Sequence, residues 1–419
     1  MLQLQSLIGR WFGAKPVPRR APTVAAMPSA PPVVRPDPSA QSTVVGARRP
    51  LVNPEGAVAG FEFHLGQAIV NRLQVRGEDL AIRAHVHVLL AAMRRCAQGG
   101  HFAYAELPAS WLPLVSPDGP AQGLQLALGA VATREEASAM VASVTAWRKA
   151  GARIGWREDE PPVAGLAPDF ILSHITVPRH GVAWVAPDLD DVDGLEAALR
   201  SGALWAGSAV RIGTEPRELR ALPPQARRLM QLLNRLVRDD DTAAVVNEIK
   251  QDAALSVRLL QHLNSPGVSR GHALASIEQA VAVLGRDALY HWVSGLLVRM
   301  SPPRPAAATL QALAIARARL LESFGRAAGE PTPGSLYLMG LGSVLPLLMQ
   351  ISLADALTSL HLPGDAERAL LQRDGPWAGY LGLVESLEEP DLPAARLLAE
   401  PMGGLDAVMA MSARAWLPP

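Results

Sequence analysis

From residue 222 to 300, apolar positions recur every three or four residues through about five stretches, with no strand-like run between them. Leu229, Leu232, Leu233 and Leu236 share a face after Leu222-Pro223-Pro224. Val245, Val246 and Ile249 follow Asp239-Asp240-Asp241, a turn expected to cap the next helix through Thr242. Leu255, Leu259, Leu260 and Leu263 line a third helix, which Asn264-Ser265-Pro266-Gly267 stops. Ile277, Val281 and Leu284 line another, with Gly285 as its C-terminal cap. The pattern predicts a compact all-helical module and by itself says nothing of activity.

Residues 44–213 have a different rhythm. Short strand-like runs (VVGARRPLV, VAGFEFHL, HFAYAEL, GLQLAL, ARIGW, DFILSHI, GVAWVA) alternate with helical stretches near 78–97, 134–150 and 193–200. Such alternation predicts βα units and a parallel sheet or barrel. The segment is about 170 residues long, short for a complete eightfold barrel, which takes about 250. Beyond the helical module come a helix over 305–328, an apolar stretch over 336–354, and further helices broken at Pro363-Gly364 and Gly375-Pro376.

The N-terminal region reads differently again. Leu4, Leu7, Ile8 and Trp11 share one face of a short amphipathic stretch, either a docking peptide or a frayed terminus. Residues 14–43 carry eight prolines among Ala, Ser and Val, the composition of an extended, disordered tether.

Composition narrows the function classes. Thirty-nine basic and 39 acidic residues leave no global field to attract nucleic acid or a membrane surface. Only Lys15, Lys149 and Lys250 are lysines, so arginine carries nearly all the positive charge. The single cysteine, Cys96, excludes an internal disulfide and fits a reducing cytoplasm. From Pro331 to Ala354 no residue is charged, a length that permits a membrane span. Pro346, Gln350, the Ser and Gly residues and the lack of flanking arginine instead predict a buried core helix kinked near Pro346. His85 and His87 are two apart and point to different faces of a helix, so with His64 they read as ordinary histidines rather than zinc ligands.

The ordered set Leu222-Pro223-Pro224, Ile249/Asp252/Leu255, Arg258-Leu259-Leu260 with Asn264-Ser265, then Ser276-Ile277, Ala280-Val281 and Leu284-Gly285, resembles the HDOD domain. That resemblance implies a helical output module of bacterial signalling proteins, with an HD-like fold that lacks metal ligands. The run ARRPLVNPEGAVAGFEFHL resembles the opening of the EAL domain, the barrel phosphodiesterase of cyclic di-GMP. Here Glu62-Phe63-His64 stand for the Glu-Ala-Leu motif. Arg157-Glu158 stand for the family's Asp-Asp pair. Asp169 remains from the next motif, while Leu172 and His174 replace its lysine and second aspartate. Trp184 lies near the first of two later glutamates, Ala206-Gly207 stand for Gln-Gly, Ala127 is the nearest match to another glutamate, and the metal-binding asparagine of HFAYAEL is absent.

Two-metal phosphodiester hydrolysis needs several carboxylates, and of the family's set only Glu62 aligns. HD-type hydrolysis needs a His-Asp doublet, and none of the ten histidines precedes an aspartate. The expected architecture is therefore α/β plus all-α: a disordered tail (1–43), a degenerate EAL-type (β/α) barrel (44–213), and an HD-like HDOD domain with a C-terminal helical extension (214–419). The expected role is a non-enzymatic adaptor acting on protein partners, with no cofactor and no metal. The signature positions are Glu62, Arg157, Glu158 and Asp169 in the barrel and Asp252, Asn264, Ser265 and Gly285 in the helical module. The alternatives are a cyclic di-GMP-binding sensor, with Arg48, Arg49 and Arg157 as phosphate contacts, and a cyclic di-GMP phosphodiesterase. For the tail, limited proteolysis is expected to trim residues 1–43 and leave a stable core; protection of the tail in the isolated protein contradicts the composition argument.

Overall fold

Eight strands close into a barrel in sequence order, β1 (Ala47–Val52), β2 (Val58–Phe63), β3 (Phe102–Leu107), β4 (Leu124–Leu128), β5 (Arg153–Arg157), β6 (Phe170–Leu172), β7 (Trp184–Leu189) and β8 (Ala206–Ser208). The computed structural model describes residues 47–65, 67–129, 134–157, 163, 165–173, 183–238, 240–265, 276–388 and 392–416. The expected tail, 1–43, lies outside them, as do Glu158, His174, Pro266 and Gly267. Strands β2 to β8 run parallel, and β1 is antiparallel to both of its neighbours. A tight turn makes this possible: Asn53 Oδ1 accepts from Ala57 N at 2.8 Å, and Gly56 takes φ +75°.

The barrel closes although its chain is short, and among the described residues two of its connections carry no α-helix. α1 (Gln67–Arg76) and α2 (Asp79–Gln98) follow β2, α3 (Arg134–Lys149) follows β4, and α4 (Val192–Arg200) follows β7. A hairpin joins β1 to β2, and only a 3₁₀ turn, Ala109–Leu114, lies between β3 and β4. Two elements escape the sequence pattern. β8 is Ala206-Gly207-Ser208, without a β-branched or aromatic residue, and α1 has only Leu73 fully buried among its described positions.

Aromatic side chains plug the lumen. Tyr104, Phe170 and Trp205 pack together, with Trp205 centred 4.9 Å from Tyr104 and 6.2 Å from Phe170. Trp205 Nε1 donates to Gln125 Oε1 at 3.1 Å. The fit leaves no room beside Phe170, where a Cβ on Gly155 would sit 2.4 Å from the Phe170 carbonyl oxygen.

The helical part begins with five helices, as the periodicity predicts: α5 (Pro224–Val237), α6 (Thr242–Gln251), α7 (Ala253–Leu263), α8 (Ile277–Leu284) and α9 (Arg286–Val298). The cap of α6 is Asp241 rather than Thr242; its carboxylate accepts from Ala243 N, and Thr242 is already the first helical residue. Then come α10 (Ala307–Ala328), α11 (Pro333–Gly342), α12 (Leu345–Met349), α13 (Leu353–Leu360), α14 (Gly364–Gln372), α15 (Ala378–Glu388), α16 (Leu392–Ala399) and α17 (Leu405–Ala415). The apolar stretch at 336–354 is thus not one helix kinked near Pro346. The chain breaks at Ser343-Val344, Pro346 starts the short α12, and Gln350 ends it in the left-handed region at φ 56°. α11 is buried from Ser335 onward and α12 throughout, and among the described residues no helix is long and apolar enough to cross a membrane.

One hydrophobic cluster runs from Val52, Ala186 and Ala206 of the barrel, through α4, into Leu310, Leu321 and Phe324 of α10, while the α2–α3 side of the barrel and its lumen each form a cluster of their own. α10 and α15 pack on β1, and Trp416 after α17 meets Phe61 of β2 at 5.5 Å. Arg317 of α10 is 1% exposed. It donates to the Val210 carbonyl just after β8 and to both oxygens of Glu388, at 2.7 and 2.6 Å. Because one cluster spans β1, β7, β8 and the helices, barrel and helices are expected to unfold in one calorimetric transition. Arg317→Ala is expected to lower that transition by about 3–5 kcal/mol by leaving Glu388 and a carbonyl unpaired. Two separated transitions in the wild type would refute the shared core.

Candidate functional site

The C-terminal ends of the parallel strands form the mouth of the barrel, where (β/α) barrels build their sites. Strand periodicity aims Glu62 inward from β2, and the register sets it opposite Arg49 of β1 and beside Tyr104 of β3. Glu62 is 1% exposed. Arg49 Nε stands 3.0 Å from Glu62 Oε2, and His64 Nε2 stands 2.9 Å from Oε1. Both approaches are close but off the axis of a hydrogen bond, so the Arg49 charge rather than alignment holds Glu62. On its other side Arg49 donates to Asp188 at the end of β7, 2.7 Å away. Burial works against the Arg49 charge, but Glu62 and Asp188 more than offset it and hold the guanidinium above its ordinary pKa.

A second group completes the mouth. Tyr104 donates to Glu106 Oε1 at 2.9 Å, and Arg157 at the end of β5 stands 3.4 Å from Glu106 Oε2. Burial, then the Glu106 charge, pushes the Tyr104 phenol well up. Arg157 pairs in register with Leu172 of β6. Asp169 is elsewhere: it precedes β6, at the opposite end of the barrel from Glu62. There it accepts from Ile154 N at 2.7 Å and from Arg148 Nε at 2.9 Å, tying β5, β6 and α3 together. The resemblance that joins Asp169 to Glu62 in one site is corrected by this separation. Glu158 lies outside the described residues.

The donor set does not fit a pair of divalent cations. Octahedral coordination needs several free carboxylate oxygens near 2.0–2.6 Å. Glu62 already faces a guanidinium and an imidazole, and Glu106 faces a phenol and a guanidinium. Among the described residues no three His, Cys, Asp or Glu side chains gather as ligands. A dication at about 4 Å from Arg49 would meet roughly 8 kcal/mol of repulsion at an effective dielectric near 20.

In the helical module the signature residues act on helix ends. Asp252 ends α6 and caps α7, accepting from Leu255 N at 2.9 Å. Asn264 closes α7, and Ser265 Oγ donates to the His262 carbonyl at 2.7 Å. Gly285, at φ +75°, ends α8 and starts α9, a conformation that favours glycine. Asp252 also lines a groove of about 500 Å³ between α5 and α6, with Arg228, Arg235, Asn247 and Glu248. The other candidates are inert or structural. Burial pushes the half-buried Cys96 thiol up to about 11. His85 Nδ1 sits 2.7 Å from the Ala81 carbonyl, and His87 approaches Asp118 at 3.6 Å.

Sequence reasoning did not assemble the mouth. Arg49 entered only as a phosphate contact, and Glu106 and Tyr104 not at all. The signal was present in the period-two alternation of β1 and β3, which aims Arg49, Tyr104 and Glu106 to the same side as Glu62.

Comparison with known proteins places part of this chain. The family model described as HDOD domain matches residues 219–356, so the chain carries an HDOD domain there. Over 161 residues the chain is 27% identical to the uncharacterized protein YuxH of Bacillus subtilis, covering 38% of this chain and 39% of that one. Over 165 residues it is 29% identical to the cyclic di-GMP phosphodiesterase CdgJ of Vibrio cholerae, covering 39% and 38%. The chain thus spans about two fifths of the length of these relatives. Among solved structures it is similar to an HDOD domain protein of unknown function from Geobacter sulfurreducens, at TM-score 0.31 and 17% identity over 48% of this chain and 94% of that one. It is also similar to an EAL domain protein from Listeria monocytogenes, at TM-score 0.29 and 10% identity over 40% and 86%.

The ion pairs of the mouth can be tested directly. Arg49→Met is expected to destabilise the protein by about 3 kcal/mol in urea titrations, because Glu62 stays buried without its counter-charge. Adding Glu62→Gln should restore most of that loss, and additive effects of the two changes would show that the charges do not interact.

Proposed function

We propose that this chain is a non-enzymatic signalling adaptor. It acts through protein contacts of its HDOD domain and carries a degenerate EAL-type barrel that does not hydrolyse cyclic di-GMP. The observation that carries this reading is Arg49, whose guanidinium stands between Glu62 and Asp188. It supplies from within the chain the positive charge that a metal-dependent phosphodiesterase takes from bound cations. Arg157 stands in the same relation to Glu106. Much of the negative charge of the mouth is therefore balanced before any ligand arrives, by guanidinium groups standing where the cations that activate water would have to sit.

The adaptor role rests on the helical module. Its signature residues shape helix ends rather than a reactive cluster: Asp252 and Ser276 cap α7 and α8, and Gly285 turns the chain from α8 into α9. The surface over 222–300, with Asn264 and Ser265 on one edge, is the partner-binding face in this reading. The barrel fixes how that face is presented, because the two share a core.

The arginines of the mouth and the named activity of the Vibrio cholerae relative favour a second reading, a sensor that binds cyclic di-GMP without cutting it. One experiment separates the three outcomes. Cyclic di-GMP is incubated with the full chain and Mg²⁺ or Mn²⁺, and its binding is titrated by calorimetry. No turnover above a Glu62→Ala control and no binding heat is the expected result. Binding without turnover supports the sensor, and turnover lost in Glu62→Ala overturns the non-enzymatic reading.

A further inference from the structure

His291 of α9 and Glu322 of α10 meet inside the helical part, with His291 Nε2 3.0 Å from Glu322 Oε2. Glu322 is 3% exposed, and its other oxygen accepts from Arg326 at 2.8 Å. Arg326 also reaches Asp287 Oδ2 at 3.2 Å, so one guanidinium stands between a carboxylate of each helix. Tyr290 and Tyr337 wall the imidazole, with ring centroids 4.3 and 4.9 Å away. The Tyr337 hydroxyl is itself hydrogen-bonded to Ser294 Oγ at 2.5 Å. Neither the barrel mouth nor the HDOD signature uses this cluster.

The contact needs a hydrogen between a carboxyl oxygen and a ring nitrogen, and burial opposes charge on both partners. Burial pushes Glu322 up to about 7, against the pull of Arg326. Burial, then Arg319 and Arg326, pushes His291 down to about 4, with Asp287 opposing.

We infer that the His291–Glu322 pair is a one-proton joint between α9 and α10 that reverses the direction of its hydrogen bond as it exchanges that proton with water. With the carboxylate ionised, His291 Nε2–H donates to Glu322. Uptake of one proton from water places a hydrogen on Glu322 Oε2. The imidazole gives up its Nε2 hydrogen to solvent and takes one at Nδ1, so the bond now runs from the carboxyl to Nε2. The ring stays neutral, and the pair gains one proton in all. Arg326 then loses its anionic partner on α10 and keeps Asp287 on α9. The cluster's charge changes by one at the seam between α9 and α10, the helix that carries Arg317 to the barrel. The joint thus makes the seating of the partner-binding helices on α10 responsive to pH near neutrality.

Melting of the full chain between about pH 4.5 and 6.5 tests this. In that window the folded pair holds one proton, on Glu322, and the unfolded chain also holds one, on the histidine, so the wild-type pair adds no slope. Glu322→Gln leaves only the depressed histidine. Its contribution is present above the unfolded value near 6.5 and lost as pH falls, so the melting temperature drops relative to wild type toward acid. His291→Gln leaves only the raised carboxyl. Its contribution is present below the unfolded value near 4.5 and lost as pH rises toward 7, so the melting temperature rises relative to wild type toward acid. Opposite slopes of roughly 2 °C or more across the window are expected, and slopes of equal sign, or none, overturn the joint. If either variant fails to fold, infrared spectra of the wild type decide. A protonated-carboxyl band present at pH 6 and absent at pH 8 supports the joint, and no such band at pH 6 overturns it.

Discussion

The structure depends on covering one bare flank. A barrel whose first strand is antiparallel and hairpin-linked has no helix of its own over β1, and the short β8 beside it offers little surface for one. Uncovered, Val52, Ala186, Ala206 and Val210 would face water, at about 25 cal/mol for each Å² of apolar surface. α10 and α15 supply the cover, and Arg317 fixes its position. A guanidinium 1% exposed is tolerated only because Glu388, Ser343 and the Val210 carbonyl use its donors. The same contacts help eight strands close within so short a chain: over β1 the helical coat comes from the other part of the protein.

That arrangement bears on the barrel mouth. Arg49 lies on β1, the strand that α10 and α15 cover, and its charge is felt as far as Glu388 of α15. The sequence of pairs Glu62–Arg49–Asp188 along one rim and Arg317–Glu388 behind it makes the mouth part of the junction between the two halves. A barrel that had to gather cations and substrate would need these carboxylates free and its rim open. Here they are paired with internal arginines, so these contacts contribute to the stability of the mouth and to its orientation against the helices.

Much of this was legible in the chain, for reasons particular to each element. The five helices of 224–298 carry leucines and valines at unbroken helical spacing, bounded by Pro, Asp, Ser and Gly at their ends, so pattern and caps agree. Strands β1 to β7 carry apolar, β-branched or aromatic runs that can be read, whereas β8, Ala206-Gly207-Ser208, carries none. The break at Ser343-Val344 was hidden because both sides are equally apolar; only a left-handed Gln350 and the packing of α12 and α13 decide it. The candidate site was legible mainly by subtraction, as missing carboxylates. Its positive content, Arg49 on Glu62 and Arg157 on Glu106, joins strands 13 and 51 positions apart, and no local pattern states such pairings.

The two halves are therefore coupled by one long helix rather than by a linker. α10 presents Arg317 to the barrel and, five positions on, Glu322 to α9. Between them run Leu320 and Leu321, buried in the common core, so a shift of α10 at one contact cannot be absorbed by loose packing before it reaches the other. α11 limits the movement further. Gly340 approaches α10 so closely that a Cβ there would sit 2.7 Å from Ala318 backbone atoms, which leaves rigid-body tilting as the available motion. Changes at the mouth and changes at the α9 seam thus act on the same rigid element. α10 is thus in contact with the barrel at Arg317 and with α9 at Glu322, and a displacement at either contact is carried along it to the other.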